Sequence, residues 1–564
     1  MWKTLRINMS SATITEEDFK TEYRGIGGRG LVARVAVEEL NPRCDPLGPD
    51  NKLILATTAF AGMGVSGANR LSVGCKSPLT GGLRESNSGG TFATYMINHG
   101  IKLMIIEGQP REDALWLLHI DAAGKASLKE ARDLEGLNNY ELVETLMARY
   151  GDVAIASIGC AGERKYKNSS IQVTEFGTNY PNRAAARGGV GAVMGAKRLK
   201  AVVIEKAAKR IAPEYAAKDT FYALRKELNK IISTEAATHE LRLQGTPAAV
   251  RLHYEAGILP VRNFSGGDLE EIDKIYPDKH MELIKSRGKS GHPCQAGCMA
   301  RCSSLLYDRN GNYLTGGLEY ETVALCGANT AIADFDLIAR IDRICDDLGL
   351  DTIETGATLG VCMDAGKIPW GDGEAALKLL QEMADGTEFG RLLGEGTEAA
   401  GKYLGVKRIP VAKHMAIPGY DIRGAAPTGV AFGGGPQAAD HTACPSTGTY
   451  EGVPPEEICK VSYTIQREFA TLDNLTCIFS AIFLGPRIEK LAGLYAAAYG
   501  GEASMERLLE LGAATIRLEK QFNRAAGWTE KDDRLPEFFY TEKSAMTGTT
   551  FNVPPEYLSK AVEL

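Results

Sequence analysis

The sequence predicts an α+β protein: a Gly-rich β-sheet domain at the N-terminus followed by two mostly α-helical domains. Apolar runs of strand length crowd the first 207 residues, and from Pro213 onward apolar residues recur every three to four positions. The 564 residues are 44% hydrophobic and include 63 glycines, enough chain for several cores. In order, residues 1–9 alternate as a strand does, and Lys52 to Thr58, Lys102 to Glu107, Leu115 to Ile120 and Lys200 to Ile204 are further strands. Helices are expected over Tyr215 to Ser233, Asp334 to Leu348, Thr352 to Ala365 and Gly373 to Ala384, with Gly349 and Gly366 as stops. Composition changes near Lys206 to Pro213 and near Val406 to Pro418, which sets domains at 1–207, 208–410 and 411–564. No internal repeat or low-complexity segment interrupts them.

Charge narrows the class of partner. Lys and Arg number 64 against 71 Asp and Glu, for a net charge of -7, and no basic run carries interleaved aromatics, so nucleic acid is not an expected partner. The start lacks the apolar core and cleavage site of a signal peptide, and no apolar run approaches the roughly 20 residues of a membrane span. A cytoplasmic protein is the expectation, which suits twelve cysteines kept as thiols or ligands rather than as disulfides.

Two glycine motifs need separating. Gly25 to Gly30 satisfies G-x-G-x-x-G literally, yet Thr21 to Arg24 before it is no buried strand, so the run is read as a turn that lets backbones approach closely. The stretch Asn182 to Gly195 is better suited to anions. Free amides at a helix start beside Arg183 and Arg187 would hold phosphate oxygens. Arg70, Lys76 to Gly81 and Asn87 to Gly90 mix cations, hydroxyls and bare backbone, and with the first stretch they suggest a large polar cofactor held by the first domain.

Cys294, Cys298 and Cys302 follow one another at four-residue steps, and Cys477 lies far downstream. Four thiolates are what a 4Fe-4S cluster needs, which points to electron transfer. Structural zinc or simple burial is the alternative, but zinc sites more often show paired Cys-x-x-Cys or histidines, and here only His292 is adjacent. Cys44, Cys75, Cys160, Cys345, Cys362 and Cys459 read as small buried hydrophobes.

Taken together, these motifs resemble the tungsten-containing aldehyde ferredoxin oxidoreductase family nearly end to end. The resemblance rests on Arg70, Lys76 to Gly81, Asn87 to Gly90, Arg183, Ala184 and Arg187 to Gly195, Glu319 to Glu321, Asp346 to Asp351, the cysteine trio and Ala439 to His441. It implies a tungsten or molybdenum bis-pyranopterin (molybdopterin) with magnesium bridging the pterin phosphates, beside one 4Fe-4S cluster on Cys294, Cys298, Cys302 and Cys477. By the same resemblance the first domain is a saddle of sheets under the pterins. Arg70, Lys76, Asn87, Ser88, Gly89, Arg183, Ala184, Gly189, Asp346, Gly349, Leu350, Asp351 and Asp473 are then cofactor contacts. Three departures stand out. The first gap of the trio, at three residues, is one residue longer than the family's, so the loop around Cys294 must bulge; the segment from Asp473 to Cys477 is one residue shorter than the family's and lacks glycine; and Arg340 and Arg343 occupy the positions of a Glu-x-x-His pair that binds a bridging metal in some relatives.

The implied reaction oxidises a small-molecule aldehyde to a carboxylic acid and passes electrons singly to ferredoxin or an iron-sulfur partner subunit. Glu321 is the implied base, its carboxylate raised toward the working range by a dry pocket, and His441 would donate to the carbonyl oxygen. Two other readings stay open: a benzoyl-CoA reductase-type catalytic subunit, in which Cys326 would offer a thiolate to the metal, and a noncatalytic iron-sulfur electron-transfer subunit. A homodimer is compatible with either enzyme reading.

Overall fold

Two six-stranded mixed sheets, stacked face to face, make up the first 205 residues of the computed structural model, which describes residues 2–480 and 485–562. The first sheet contains β1 (Lys3–Asn8), β2 (Thr13–Asp18), β3 (Leu53–Thr57), β4 (Leu71–Lys76), β5 (Leu83–Ser88) and β6 (Ile101–Glu107), in the order β2-β1-β6-β3-β4-β5. The second contains β7 (Trp116–Ile120), β8 (Ala126–Glu130), β9 (Val153–Ser157), β10 (Ile171–Val173), β11 (Arg183–Ala185) and β12 (Leu199–Glu205), in the order β11-β10-β9-β12-β7-β8. Only β1 with β6 and β12 with β7 run parallel; the other pairs are antiparallel.

Alternation along the strands explains the stacking. Leu53, Leu55, Leu71 and Val73 of the first sheet meet Leu118, Ala154, Ile171 and Val202 of the second in one core. The intervening residues face outward: Ile54, Ala56, Leu103 and Ile105 pack under helix Gly28–Glu39, while Leu117, Val153, Ile155 and Val203 pack under helix Asn139–Tyr150. With both faces covered, the central strands read as continuous apolar runs, as Lys52 to Thr58 does. The edge strand β2 has a charged, mostly exposed face that discourages further pairing. At the opposite edges β5 and β11 approach one another, joined by hydroxyls: Ser88 Oγ donates to Arg183 O (3.1 Å) and Ser86 Oγ to Arg187 O (2.6 Å).

Beyond residue 217 the chain is mainly helical, with a three-stranded antiparallel sheet of Gly288–His292, Ser303–Tyr307 and Tyr313–Gly316. Helix Phe335–Leu348 starts where Asp334 accepts from the amides of Asp336 and Leu337, and ends at Gly349 in the left-handed region (φ 77°). Helix Thr352–Asp364 is almost wholly buried and crosses Tyr320–Cys326 closely, since a Cβ at Gly356 would stand 2.6 Å from the Leu325 carbonyl carbon. Packing does not divide at residue 410. Val323, Ile338 and Leu380 share one core with Phe432, Phe539 and Leu558, and Phe221 and Leu228 share another with Leu491 and Leu494. No single helix among the described residues is long and apolar enough to cross a membrane.

The Gly25 to Gly30 run is a close-approach turn, as its flanks suggest. A Cβ on Gly27 would stand 2.0 Å from Ala59 N, on Gly28 2.1 Å from Asp473 O, and on Gly30 2.0 Å from Asn474 Oδ1. These glycines seat helix Gly28–Glu39 directly on the last turn of helix Pro455–Leu475. Gly28→Ala, at φ 48° and against a backbone oxygen, is expected to destabilise the protein by about 2–4 kcal/mol and lower the melting temperature. Gly136→Ala, with φ 79° but open space around it, should cost only about 1 kcal/mol of conformational strain. Equal effects in thermal melts would refute the packing role.

Candidate functional site

A cavity of ≈ 490 Å³ lies where the edges of both sheets meet the helical region. Its walls bring together Arg70, Asn87, Ser88, Gly89, Arg183, Ala184, Cys294, Cys298, Cys302, Glu321, Asp346, Leu350, Asp351, His441, Asp473 and Cys477, residues drawn from every part of the chain.

Three expected residues are placed elsewhere. Lys76 is buried with its ammonium on Cys44 O (2.7 Å), inside the first domain. Gly349 terminates its helix, and Gly189 starts helix Val190–Ala196 in the left-handed region (φ 75°) with Pro78 and Lys167 O packed against it. That helix start is correspondingly not an open anion cradle. Gly188, Gly191 and Gly195 instead admit Arg84, Ser170 O and Gly162 O, each at a distance that a Cβ would forbid (2.3, 2.4 and 1.9 Å). The cavity-facing part of this stretch is the segment before it, Asn182 to Ala184, with Ala186 and Arg187.

The cysteine trio is the connection between two strands of the small sheet. Cys294 follows Gly288–His292, and Cys302 immediately precedes Ser303–Tyr307. The loop reverses with Gly297 (φ 77°) and Arg301 (φ 50°) in the left-handed region, and the strand ladder shifts register between Lys289 and His292. Ser66 and Gly67 tie it to the remote cysteine. Gly67 O accepts from both Gln295 Nε2 (3.3 Å) and Cys477 N (3.0 Å), while Ser66 Oγ accepts from Met299 N (2.9 Å). His292 turns away from the thiols to within 3.2 Å of Glu175. Among the described residues no three His, Cys, Asp or Glu side chains converge on a single metal ion.

Arg70 faces these thiols. It donates to Asn87, makes no ion pair among the described residues, and is raised in pKa because the neighbouring Cys477, Cys294 and Cys302 outweigh its burial. Cys294 is pushed down to about 6, foremost by a hydrogen bond from Cys298 and then by Arg183 and Arg70. A Cβ on Gly89 would stand 3.1 Å from Cys294 Sγ and 3.5 Å from Arg70 Nη1, so the backbone passes close to the thiol and any side chain there would press on it. A half-buried guanidinium with no carboxylate partner, beside Cys477, Cys294 and Cys302, suits an anionic group of the iron-sulfur class.

At the other end Glu321 Oε2 accepts from Gly419 N (2.7 Å), and its Oε1 is buried without a partner. Burial pushes its carboxyl up to about 7, with the Gly419 bond opposing. Burial pushes His441 down to about 4, leaving the ring neutral at neutral pH. Its Nδ1 is 3.7 Å from Asp440 and has no hydrogen bond. Asp440 itself is held well below the carboxylate range despite its burial, because Arg84 lies 3.2 Å away. Around the walls, Asp346 Oδ2, Glu85 Oε1 and Asn182 Oδ1 are also buried without partners. Buried oxygens left unsatisfied are expensive, so their arrangement suits a ligand rich in N–H donors, as a pterin edge is. Asp473 lies in the last turn of helix Pro455–Leu475, 3.4 Å from Arg29. Cys326, by contrast, donates to Thr352 O (3.5 Å) and lies outside the cavity wall.

Sequence reading missed Arg84, Glu85, Asp342 and Tyr420, all in the wall. A signal existed for three of them. Arg84 and Glu85 are adjacent charges within a strand, and Asp342 sits one helical turn before Asp346. Arg340 pairs with Glu374, and Arg343 lies 3.2 Å over the Tyr140 ring.

The family model described as "Aldehyde ferredoxin oxidoreductase, N-terminal domain" matches residues 4–206, and "Aldehyde ferredoxin oxidoreductase, domains 2 & 3" matches residues 223–563. The tungsten-containing aldehyde ferredoxin oxidoreductases of Pyrococcus furiosus and Thermococcus kodakarensis are each 30% identical, over 95% of this chain and 91% of theirs. A WOR-like subunit of an aliphatic sulfonate oxidoreductase from Pyrococcus furiosus is 26% identical over 95% of this chain and 88% of its own. Among solved structures, the active site complex BamBC of benzoyl coenzyme A reductase with 1,5 dienoyl-CoA shares the fold (TM-score 0.81, 19% identity, 99% of this chain and 92% of that one).

Asp342 accepts from Thr315 Oγ1 (2.6 Å), and burial pushes it up to about 7. Unfolded carboxyls titrate near 4, so between those values the native state retains a proton that the unfolded chain releases, and stability falls as pH rises. Asp342→Asn removes that penalty. The melting temperature of the variant apoprotein, relative to wild type, is expected to increase from pH 5 to pH 8; a pH-independent difference would contradict the assignment.

Proposed function

The chain belongs to the aldehyde ferredoxin oxidoreductase family, and we propose that it oxidises an aldehyde to the carboxylic acid in the cavity described above. The observation that carries this reading is the gathering of four thiols, an unpaired Arg70, a protonatable Glu321 and a neutral His441 on the walls of one cavity. When bound there, a tungsten or molybdenum bis-pyranopterin and a 4Fe-4S cluster supply a centre that takes two electrons and a relay that releases them one at a time. Cys294, Cys298, Cys302 and Cys477 would hold the cluster. The backbone from Asn87 to Gly89 and from Arg183 to Ala184, with Asp346, Asp351 and Asp473, would hold the pterins, their phosphates and magnesium.

Aldehyde plus water yields the carboxylic acid, two protons and two electrons. Glu321 is suited to take a proton as the C–O bond forms, because a carboxylate near 7 is basic enough to accept one and acidic enough to release it. Gly419 N fixes Oε2 and leaves Oε1 buried without a partner, free to take that proton. His441 offers a neutral N–H to the carbonyl oxygen, where negative charge grows. Ferredoxin or a partner iron-sulfur subunit would be the electron acceptor, and Arg70 faces the thiols that would hold the relay.

The fold shared with benzoyl-CoA reductase keeps a reductive role on an aryl-CoA as the alternative. Cys326 speaks against it, since its thiol is committed to Thr352 O.

Anaerobically purified protein is expected to contain about four iron and one tungsten or molybdenum per chain with two pterins; iron alone would refute the enzyme reading. With a viologen acceptor, kcat/KM for aldehydes should rise with pH to about 7 and then level. Glu321→Gln should lower kcat by roughly 10²–10⁴ without changing metal content. Full turnover by that variant would remove Glu321 as the base, and turnover confined to an aryl-CoA would favour the alternative.

A further inference from the structure

Four arginines and eight carboxylates line the cavity, and the arginines are not free to meet a substrate anion. Arg84 is held by Asp440 (3.2 Å) and Gln437 Oε1 (2.7 Å). Arg187 is held by Asp351 (3.1 Å) and by the carbonyls of Ala416 and Ala439. Arg183 is held by Glu175 and by Ser303 Oγ (2.6 Å). Arg70 has no such partner, but its electrostatic neighbours are the cysteines, and it belongs to their end of the cavity. Around Glu321 the neighbouring charges are the committed Arg187 and the carboxylates Asp351 and Asp440.

The wall on this side is apolar and aromatic. Tyr320 and Tyr420 both line it, their rings edge to face at 5.7 Å, and His253 backs them at 4.7 and 5.3 Å. The Tyr320 hydroxyl donates to Gly419 O, the peptide unit next to the one that fixes Glu321, so the aromatic wall and the base are set by the same segment. Ala248, Ala249 and Ile353 extend the apolar surface.

From this arrangement we infer that the site selects uncharged aldehydes with a flat apolar body and discriminates against aldehydes that carry a carboxylate. The inference rests on the aldehyde reading given above. A carboxylated substrate would enter a dry site in which Arg84 and Arg187 are already taken by Asp440 and Asp351, and would face the unpaired Glu321. The same lack of a free cation acts on the product. Oxidation converts a neutral molecule into an anion beside the unpaired Glu321, with Arg84 and Arg187 already neutralised by Asp440 and Asp351, so nothing in the pocket holds the product once formed.

The test uses the holoenzyme with a viologen acceptor and three aldehydes: benzaldehyde, 4-carboxybenzaldehyde, and the methyl ester of the latter, which keeps the bulk and removes the charge. The ester is expected to retain kcat/KM within about tenfold of benzaldehyde, and the free acid to lose roughly a hundredfold against the ester. Benzoate should inhibit more weakly than the neutral benzamide. Tyr420→Leu should lower kcat/KM for benzaldehyde more than for propanal, and Tyr420→Phe should not. Equal turnover of acid and ester, or tighter inhibition by benzoate, would overturn the charge selection; equal loss on both aldehydes in Tyr420→Leu would overturn the aromatic wall. Failure to oxidise any of the three would instead overturn the aldehyde reading beneath it.

Discussion

Three buried arginines of the sheet domain each reach into the helical region and take a carboxylate there. Arg29 meets Glu519 through two bonds (2.7 and 2.9 Å) and Asp473 at 3.4 Å; Arg84 meets Asp440, and Arg187 meets Asp351. Each of these side chains is nearly inaccessible, so neither partner can turn to water if the other is lost. Removing one member of such a pair typically costs about 3–5 kcal/mol, far more than the pair contributes over a well-packed apolar replacement. Their value here is therefore positional. They fix the two halves of the cavity wall in register, and they consume the positive charge that the wall would otherwise present.

That consumption links architecture to chemistry. Because Arg84 and Arg187 are committed to Asp440 and Asp351, the carboxylates that remain unpaired, Glu321 and Asp346 among them, lie in a dry space with raised proton affinities. A carboxyl that titrates near neutrality at Glu321 and a neutral His441 follow from burial rather than from a dedicated partner. At the opposite end Arg70, the cation without a carboxylate, faces thiols. One cavity thus carries an acidic, aromatic end and a cationic, sulfur-lined end.

The sheet domain was legible because its strands are buried on both faces and so stand out as unbroken apolar runs, and Asp334 and Gly349 mark the helix they bound. The decoy at Gly25 was legible through its flanks. Lys76, Gly189 and Gly349 were harder, because a motif records that a residue type recurs without saying whether it touches a ligand or supports a residue that does. Lys76 satisfies a backbone carbonyl, and Gly189 and Gly349 supply left-handed turns. The pairing of Arg29 with Glu519 was invisible for a different reason: 490 positions separate them, and no local periodicity records such a partner. Arg84 and Glu85 were within reach, since adjacent charges inside a buried strand have no solvent to face.

The carbonyl of Gly67 receives Gln295 from the cysteine loop and Cys477 from the end of a distant helix. On a ribosome these partners emerge far apart in time. The two sheets close within the first 205 residues and can form while the remainder is still being made, yet Cys477 and the helix that presents it arrive only near the end of synthesis. Until then the chamber lacks a wall. The thiols of the cysteine loop therefore meet their fourth neighbour only once that late helix has been made, and a chain that ends before it lacks both Cys477 and the Asp473 that lines the same wall.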